Sequence, residues 1–312
     1  MNGLELSKEY FNQYGKSILE DYPECKDLLC FGLTGSGSEC YGYDDDISTD
    51  HDFEPGFCIF IPSEEKLDRK TAFSLERAYA KLPKEFMGYN RQKMSPVGGN
   101  RHGVIRIDEY FEKAIGSKTG ELDLEAWLSI PSYALAEAIN GEIFVDNFGE
   151  VSKIRENLKN MPEDIRKKRI AGNLLLMAQA GQYNYQRCLK HNEEAAAQLA
   201  VVEFVKSTME VIFLLNKEYM PYYKWSFRAM RKLPKLSIIA ETCEHLITTG
   251  NGEDMAEDKY FLIEDIASTV IDELISQGIT EANCGDLEKH AYSVNDQIEN
   301  SEIRNLNIFA GV

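Results

Sequence analysis

The sequence predicts an α+β chain: a small mixed-sheet α/β domain over residues 1–150, followed by an all-α helical bundle over residues 151–312. Two observations carry that expectation. In the first half, short apolar runs of strand length are bounded by glycine, proline and aspartate; from about Val151 these runs vanish and long 3.6-residue periodicities take over. No Pro/Ser/Gly-rich linker marks the change, and no internal repeat or low-complexity tract appears.

The elements follow in order. Residues 4–22 place Leu4, Leu6, Phe11, Tyr14, Ile18 and Leu19 at helical spacing, and Pro23 closes the segment. "DLLCFGL", Asp27 to Leu33, predicts a buried strand. A Gly/Ser loop comes next, then a second strand from about His51 to Ile61, ended by Pro62. "EEKLDRKTAFSLERAYAKLP" reads as an amphipathic helix closed by Pro83. "GVIRI", Gly103 to Ile107, and "EIFVDN", Glu142 to Asn147, predict two further strands separated by the helical "LEAWLSIPSYALAEAIN". Helices are then expected over 151–160, 163–191, 195–219, 226–249, 257–277 and 285–300.

Composition narrows the function classes. Of 312 residues, 34 are basic and 52 acidic, a formal charge of −18 that repels a nucleic-acid backbone and attracts small cations. No apolar run is long enough to span a bilayer, because Glu203, Lys206 and Glu210 interrupt the most apolar helical stretch. The seven scattered cysteines show no C-x-x-C spacing, which fits reduced thiols in a cytoplasmic chain, and no signal peptide is visible.

The richest stretch is "GSGSECYGYDDDISTDHDF", Gly35 to Phe53. Glycines let backbone N–H groups approach a phosphate without a Cβ between them, and Ser36 and Ser38 add donors; the spacing is neither that of a P-loop nor G-x-G-x-x-G. Eleven residues separate Ser38 from Asp50-His51-Asp52. In a strand, residues two apart share a face about 7 Å from one another. Asp50 and Asp52 would point together, able to hold one Mg²⁺ or bracket two around a triphosphate, with His51 turned away. The plainer alternative is an Asx-turn on a solvated acidic loop containing Asp44, Asp45 and Asp46.

This pattern of Gly37-Ser38, then Gly42, then Asp50-x-Asp52 resembles the DNA polymerase β-like nucleotidyltransferase superfamily, and the two-domain order is similar to the kanamycin and lincosamide nucleotidyltransferases. More narrowly, "LPKEFMGY", "WLSIPSYALAEAINGEIFVDNFGEVSKIRENL", "LLNKEYMPYYKWSFRAMRKLP" and "LEKHAYSVNDQI" resemble a bacterial family filed as domain of unknown function 4037. The resemblance implies that Gly37 and Ser38 meet the β/γ-phosphates of ATP or another NTP, and that Asp50 and Asp52 ligate Mg²⁺; Gly35 and Ser36 of the same loop are further candidate nucleotide-binding residues. It also implies a third carboxylate on a later strand. Ile105 stands at that place, so Asp108 replaces the missing base, or another acid does, or catalysis is weakened or lost.

Lys224, set among aromatics in "YMPYYKWSFRAM", is the expected second-domain phosphate ligand, with Arg228 one turn later; the alternative is a snorkelling lysine on an aromatic edge. Trp127 with Pro131 reads as packing, and Arg187 with His191 has too short a gap for a helical RNase toxin. The expected activity is NMP transfer from an NTP to a hydroxyl of a small cationic acceptor, with no membrane or nucleic-acid partner. The alternatives are a protein or tRNA acceptor, or a nucleotide-binding regulator without turnover.

Overall fold

The computed structural model describes residues 1–45, 54–91 and 102–312. The chain divides into two compact units, one of residues 1–121 with 134–160, the other of residues 122–133 with 161–312.

In the first unit the described residues form a four-stranded mixed sheet. Its strands are β1 (Cys30–Leu33), β2 (Cys58–Ile61), β5 (Gly103–Arg106) and β6 (Glu142–Asp146), ordered β5-β2-β1-β6. A two-stranded hairpin, β3 (Glu85–Phe86) with β4 (Tyr89–Asn90), stands apart. β1 runs antiparallel to both neighbours and β2 parallel to β5. Strand alternation gives the sheet two different faces. One carries Phe31, Ile59 and Ile61 against Leu6, Tyr10 and Phe11 of the N-terminal helical segment, a dry aromatic core. The other carries Cys30, Cys58 and Phe60, with the Tyr110 ring edge-on to Phe60.

The N-terminal helix Gly3–Tyr10 begins with a capping box between Asn2 and Glu5, which satisfies two otherwise orphaned amides. It continues through a π-helical turn, Phe11–Gly15, to Lys16–Asp21. Ser7 donates to the Gly56 carbonyl at 2.6 Å, fixing the approach to β2.

β2 begins at Cys58, although the apolar run predicts a strand from about His51; the described residues 54–57 carry no strand. Pro55 lacks the N–H that a ladder needs, and Gly56 has no side chain to pack, so pairing starts after both. The helix expected across residues 124–140 is two, Leu124–Ser129 and Ser132–Ile139, because Pro131 pushes Ile130 into extended backbone.

Among its described residues the second unit carries helices joined by loops, and no strand. Glu163–Met177 passes through a π-helical stretch, Ala178–Tyr185, into Gln186–Lys190, and packs on the 22-residue helix Glu194–Leu215. Tyr223–Met230 and Ile239–Thr248 replace the single helix expected over 226–249, and Glu253–Ser276 and Leu287–Asp296 complete the bundle. Its core is aliphatic, built on Leu174, Val201, Phe204, Ile212 and Ile263. Two lysines are fully buried. Lys168 donates to Asn295 Oδ1 and to the carbonyls of Arg304 and Leu306; Lys259 donates to Gln198, Asn251 and the Thr249 carbonyl. No helix of the described residues is long and apolar enough to cross a membrane.

Candidate functional site

The Gly/Ser stretch forms a turn leaving the C-terminal end of β1, and it is held from behind by side chains distant in sequence. Asn140 grips the backbone of Gly35 at both ends: Gly35 N donates to Asn140 Oδ1 at 2.9 Å, and Asn140 Nδ2 donates to the Gly35 carbonyl at 2.7 Å. Thr34 Oγ1 lies 3.1 Å from both Asn140 Oδ1 and the Glu137 carbonyl. Arg155, only 8% exposed, donates from Nη1 to Thr34 Oγ1 at 3.2 Å and from Nη2 to the Ile139 carbonyl at 2.7 Å. Burial lowers its guanidinium pKa from the ordinary arginine value.

The turn itself is tight. Gly35 has φ +128°, a conformation that side chains avoid, and a Cβ there would meet open space. Gly37 is extended and opens the short helix Ser38–Tyr41, which Gly42 ends in the left-handed region. A Cβ on Gly37 would displace the carboxylate of Glu39, the far end of a flexible side chain that rests against this backbone. Ser36 is exposed and Ser38 half-buried. Gly141 N donates to the Cys40 carbonyl at 2.8 Å, tying the short helix to the turn before β6.

Asp50, His51 and Asp52 lie outside the described residues. Just beyond them, Glu54 Oε1 meets His102 Nδ1 at 3.1 Å, and Gly103 N donates to the Phe57 carbonyl at 2.9 Å, so the lead-in to β2 and the start of β5 are joined. Asp44, part of the acidic loop in the plainer alternative, accepts from Gly3 N at 2.6 Å; its Oδ1 is buried without a hydrogen-bond partner among the described residues.

Ile105 sits on β5 directly beside Phe60 of β2. Asp108 falls in the first turn of the helix Ile107–Ile115, where its Oδ1 accepts from Glu109 N at 3.0 Å. Lys224 and Arg228 belong to the helix Tyr223–Met230 of the second unit. Both are exposed, and the Lys224 ammonium lies 4.8 Å from the Trp225 ring centroid, a cation–π contact. Among the described residues no cluster of three His, Cys, Asp or Glu side chains is placed to hold a metal ion.

The residues that sequence reasoning missed are Thr34, Asn140 and Arg155. The Asn140-Gly141 pair before a strand was a turn signal, but nothing in local spacing ties it to a loop 105 residues earlier.

These features define an α+β protein, with a braced glycine-serine turn at the end of a sheet strand in one unit and helices, with no strand, among the described residues of the other. Residues 127–226 match the model of a family described as domain of unknown function (DUF4037), and the resemblance read from the sequence is borne out over that span. A solved structure of a nucleotidyltransferase-like protein from Exiguobacterium sibiricum is similar at 11% identity and a TM-score of 0.38, over 85% of this chain and 76% of that one. No curated protein matches.

Proposed function

We propose that the chain is a magnesium-dependent nucleotidyltransferase that moves a nucleoside monophosphate from a triphosphate, ATP foremost, to a hydroxyl of a small acceptor. The observation that supports it is the braced turn. Gly35 is clamped through its own amide and carbonyl while Ser36 stays exposed, a rigid backbone presented for polyphosphate contact. A polyphosphate would approach from the side away from the Glu39 carboxylate.

Asp50 and Asp52 are the Mg²⁺ ligands in this reading; their oxygens are hard donors suited to that ion, which would neutralise charge on the phosphates. The acceptor hydroxyl gives its proton to a carboxylate such as Asp108. Its oxygen bonds the α-phosphorus, the bond to the β-phosphate bridging oxygen breaks, and pyrophosphate departs with the electron pair. The −18 charge favours an acceptor that is a cation.

The test incubates the protein with labelled ATP, Mg²⁺ and a bacterial metabolite extract. The expected result is pyrophosphate release and a product heavier by one nucleotide, both absent in the Asp50→Asn/Asp52→Asn variant with an unchanged circular dichroism spectrum. Release that survives in the double variant would overturn the proposal. Ile105 beside Phe60 favours one second reading, a nucleotide-binding regulator without turnover; calorimetric binding of Mg-ATP with no pyrophosphate release is its signature.

A further inference from the structure

The second unit contains a cavity of about 1030 Å³ whose lining residues all belong to that unit. That volume is at the top of the range of roughly 300–1,000 Å³ for small-molecule sites. Its polar side is buried and connected. Arg169, 5% exposed, donates from Nη1 to the Ile130 carbonyl at 3.3 Å and from Nη2 to Ser132 Oγ at 3.2 Å, and Ser132 Oγ donates to Glu210 Oε2 at 2.8 Å. Arg169 Nε is buried with no hydrogen-bond partner among the described residues. An orphaned buried donor is destabilising, and one use for a guanidinium held at that cost is to fix Glu210 through Ser132.

The remaining lining sets the ligand's chemistry. Leu124, Leu128 and Met220 supply apolar wall. Tyr133, Tyr222 and Tyr223 line the exposed edge, with ring centroids 5.6 Å apart for the first pair and 4.4 Å for the second. Four carboxylates, Glu125, Glu203, Glu210 and Glu302, face two cations, Arg169 and Lys206, and Lys206 already pairs with Glu203 at 3.7 Å. An anion would find the Arg169 Nη groups engaged, its Nε sealed and acid in excess. A polyhydroxylated sugar would find apolar walls. Burial raises the Glu210 carboxyl above the ordinary glutamate value, and the Arg169 guanidinium opposes that rise.

We propose that this cavity binds an organic cation with an apolar or aromatic body, its ammonium on Glu210 and its body against Tyr222 and Tyr133. The proposal goes beyond the nucleotidyl-transfer reading and stands without it.

The test is a fluorescence titration with monodansylcadaverine, a naphthalene-bearing amine, without nucleotide or Mg²⁺, beside neutral dansylamide and anionic dansylglycine. Saturable binding of the amine is expected, at least about tenfold tighter than either comparator. Glu210→Gln should weaken it about tenfold, and Tyr222→Ala, on an exposed ring, about threefold. Melting curves check the fold of each variant, and Tyr222→Ala keeps the question decidable if Glu210→Gln misfolds. Equal binding of either comparator, or unchanged amine binding in every folded variant, overturns the proposal.

Discussion

Each unit rests a polar constellation on one buried arginine, and the two arginines are used differently. Arg155 serves the Gly/Ser turn: its Nη groups reach Thr34 and the Ile139 carbonyl, and the result is a braced loop. Arg169 serves the cavity wall: it reaches Ile130 and Ser132 but keeps a buried N–H without a partner. A satisfied buried cation stiffens its surroundings. A partly satisfied one carries a standing cost, and a ligand site is one place where such a cost is retained.

The comparison breaks most visibly at Gly141, beside the Asn140 clamp. Its φ is +65° and a Cβ would run into the Leu33 carbonyl at the end of β1, so Gly141→Ala must move backbone. A loss of about 3 kcal/mol or more is expected in urea unfolding of the first unit. Next comes the arginine contrast itself. Arg155→Met strips the bonds to Thr34 and Ile139 and should cost about 2–4 kcal/mol. Arg169→Met removes a cation that already carries an unpaired donor and should cost about 1–2 kcal/mol, with the Glu210 carboxyl titrating still higher. Equal midpoint shifts for the two variants would erase the distinction.

A separate effect is alkaline. Burial pushes the Cys58 thiol of the first unit and the Cys243 thiol of the second up to about 12, from 9.0. Both stay protonated in the folded chain after the unfolded chain has lost those protons. The stability they lend is therefore fully present below pH 9 and falls as pH rises towards 12, by up to about 1.4 kcal/mol per pH unit for each thiol. Urea midpoints taken at about pH 8 and about pH 10.5 should show the decline, and Cys58→Ala should flatten part of it.

Much of the framework was legible because short apolar runs between turn residues have few other folds. "CFGL", "GVIR" and "EIFVD" became strands within a few residues of their predicted bounds. The departures share a cause, a proline inside an otherwise periodic run. Pro55 delays β2, Pro131 cuts one helix in two, and Pro234 lies in the break between Met230 and Ile239. The glycines of the turn were legible as glycines, since their use follows from a missing Cβ. The brace behind them was not, because Asn140 and Arg155 act over 105 and 121 residues of sequence, where no local pattern reaches.

The buried cations have a consequence for the molecule's exterior. Arg155, Arg166, Lys168, Arg169 and Lys259 are withdrawn from the surface, more basic groups than the buried acids Glu39 and Glu210 among the described residues. The formal −18 thus understates the imbalance that water and counterions meet. The outward face should gather a sheath of mobile cations, hasten the arrival of positively charged molecules at low ionic strength, and hold copies of the chain apart in concentrated solution.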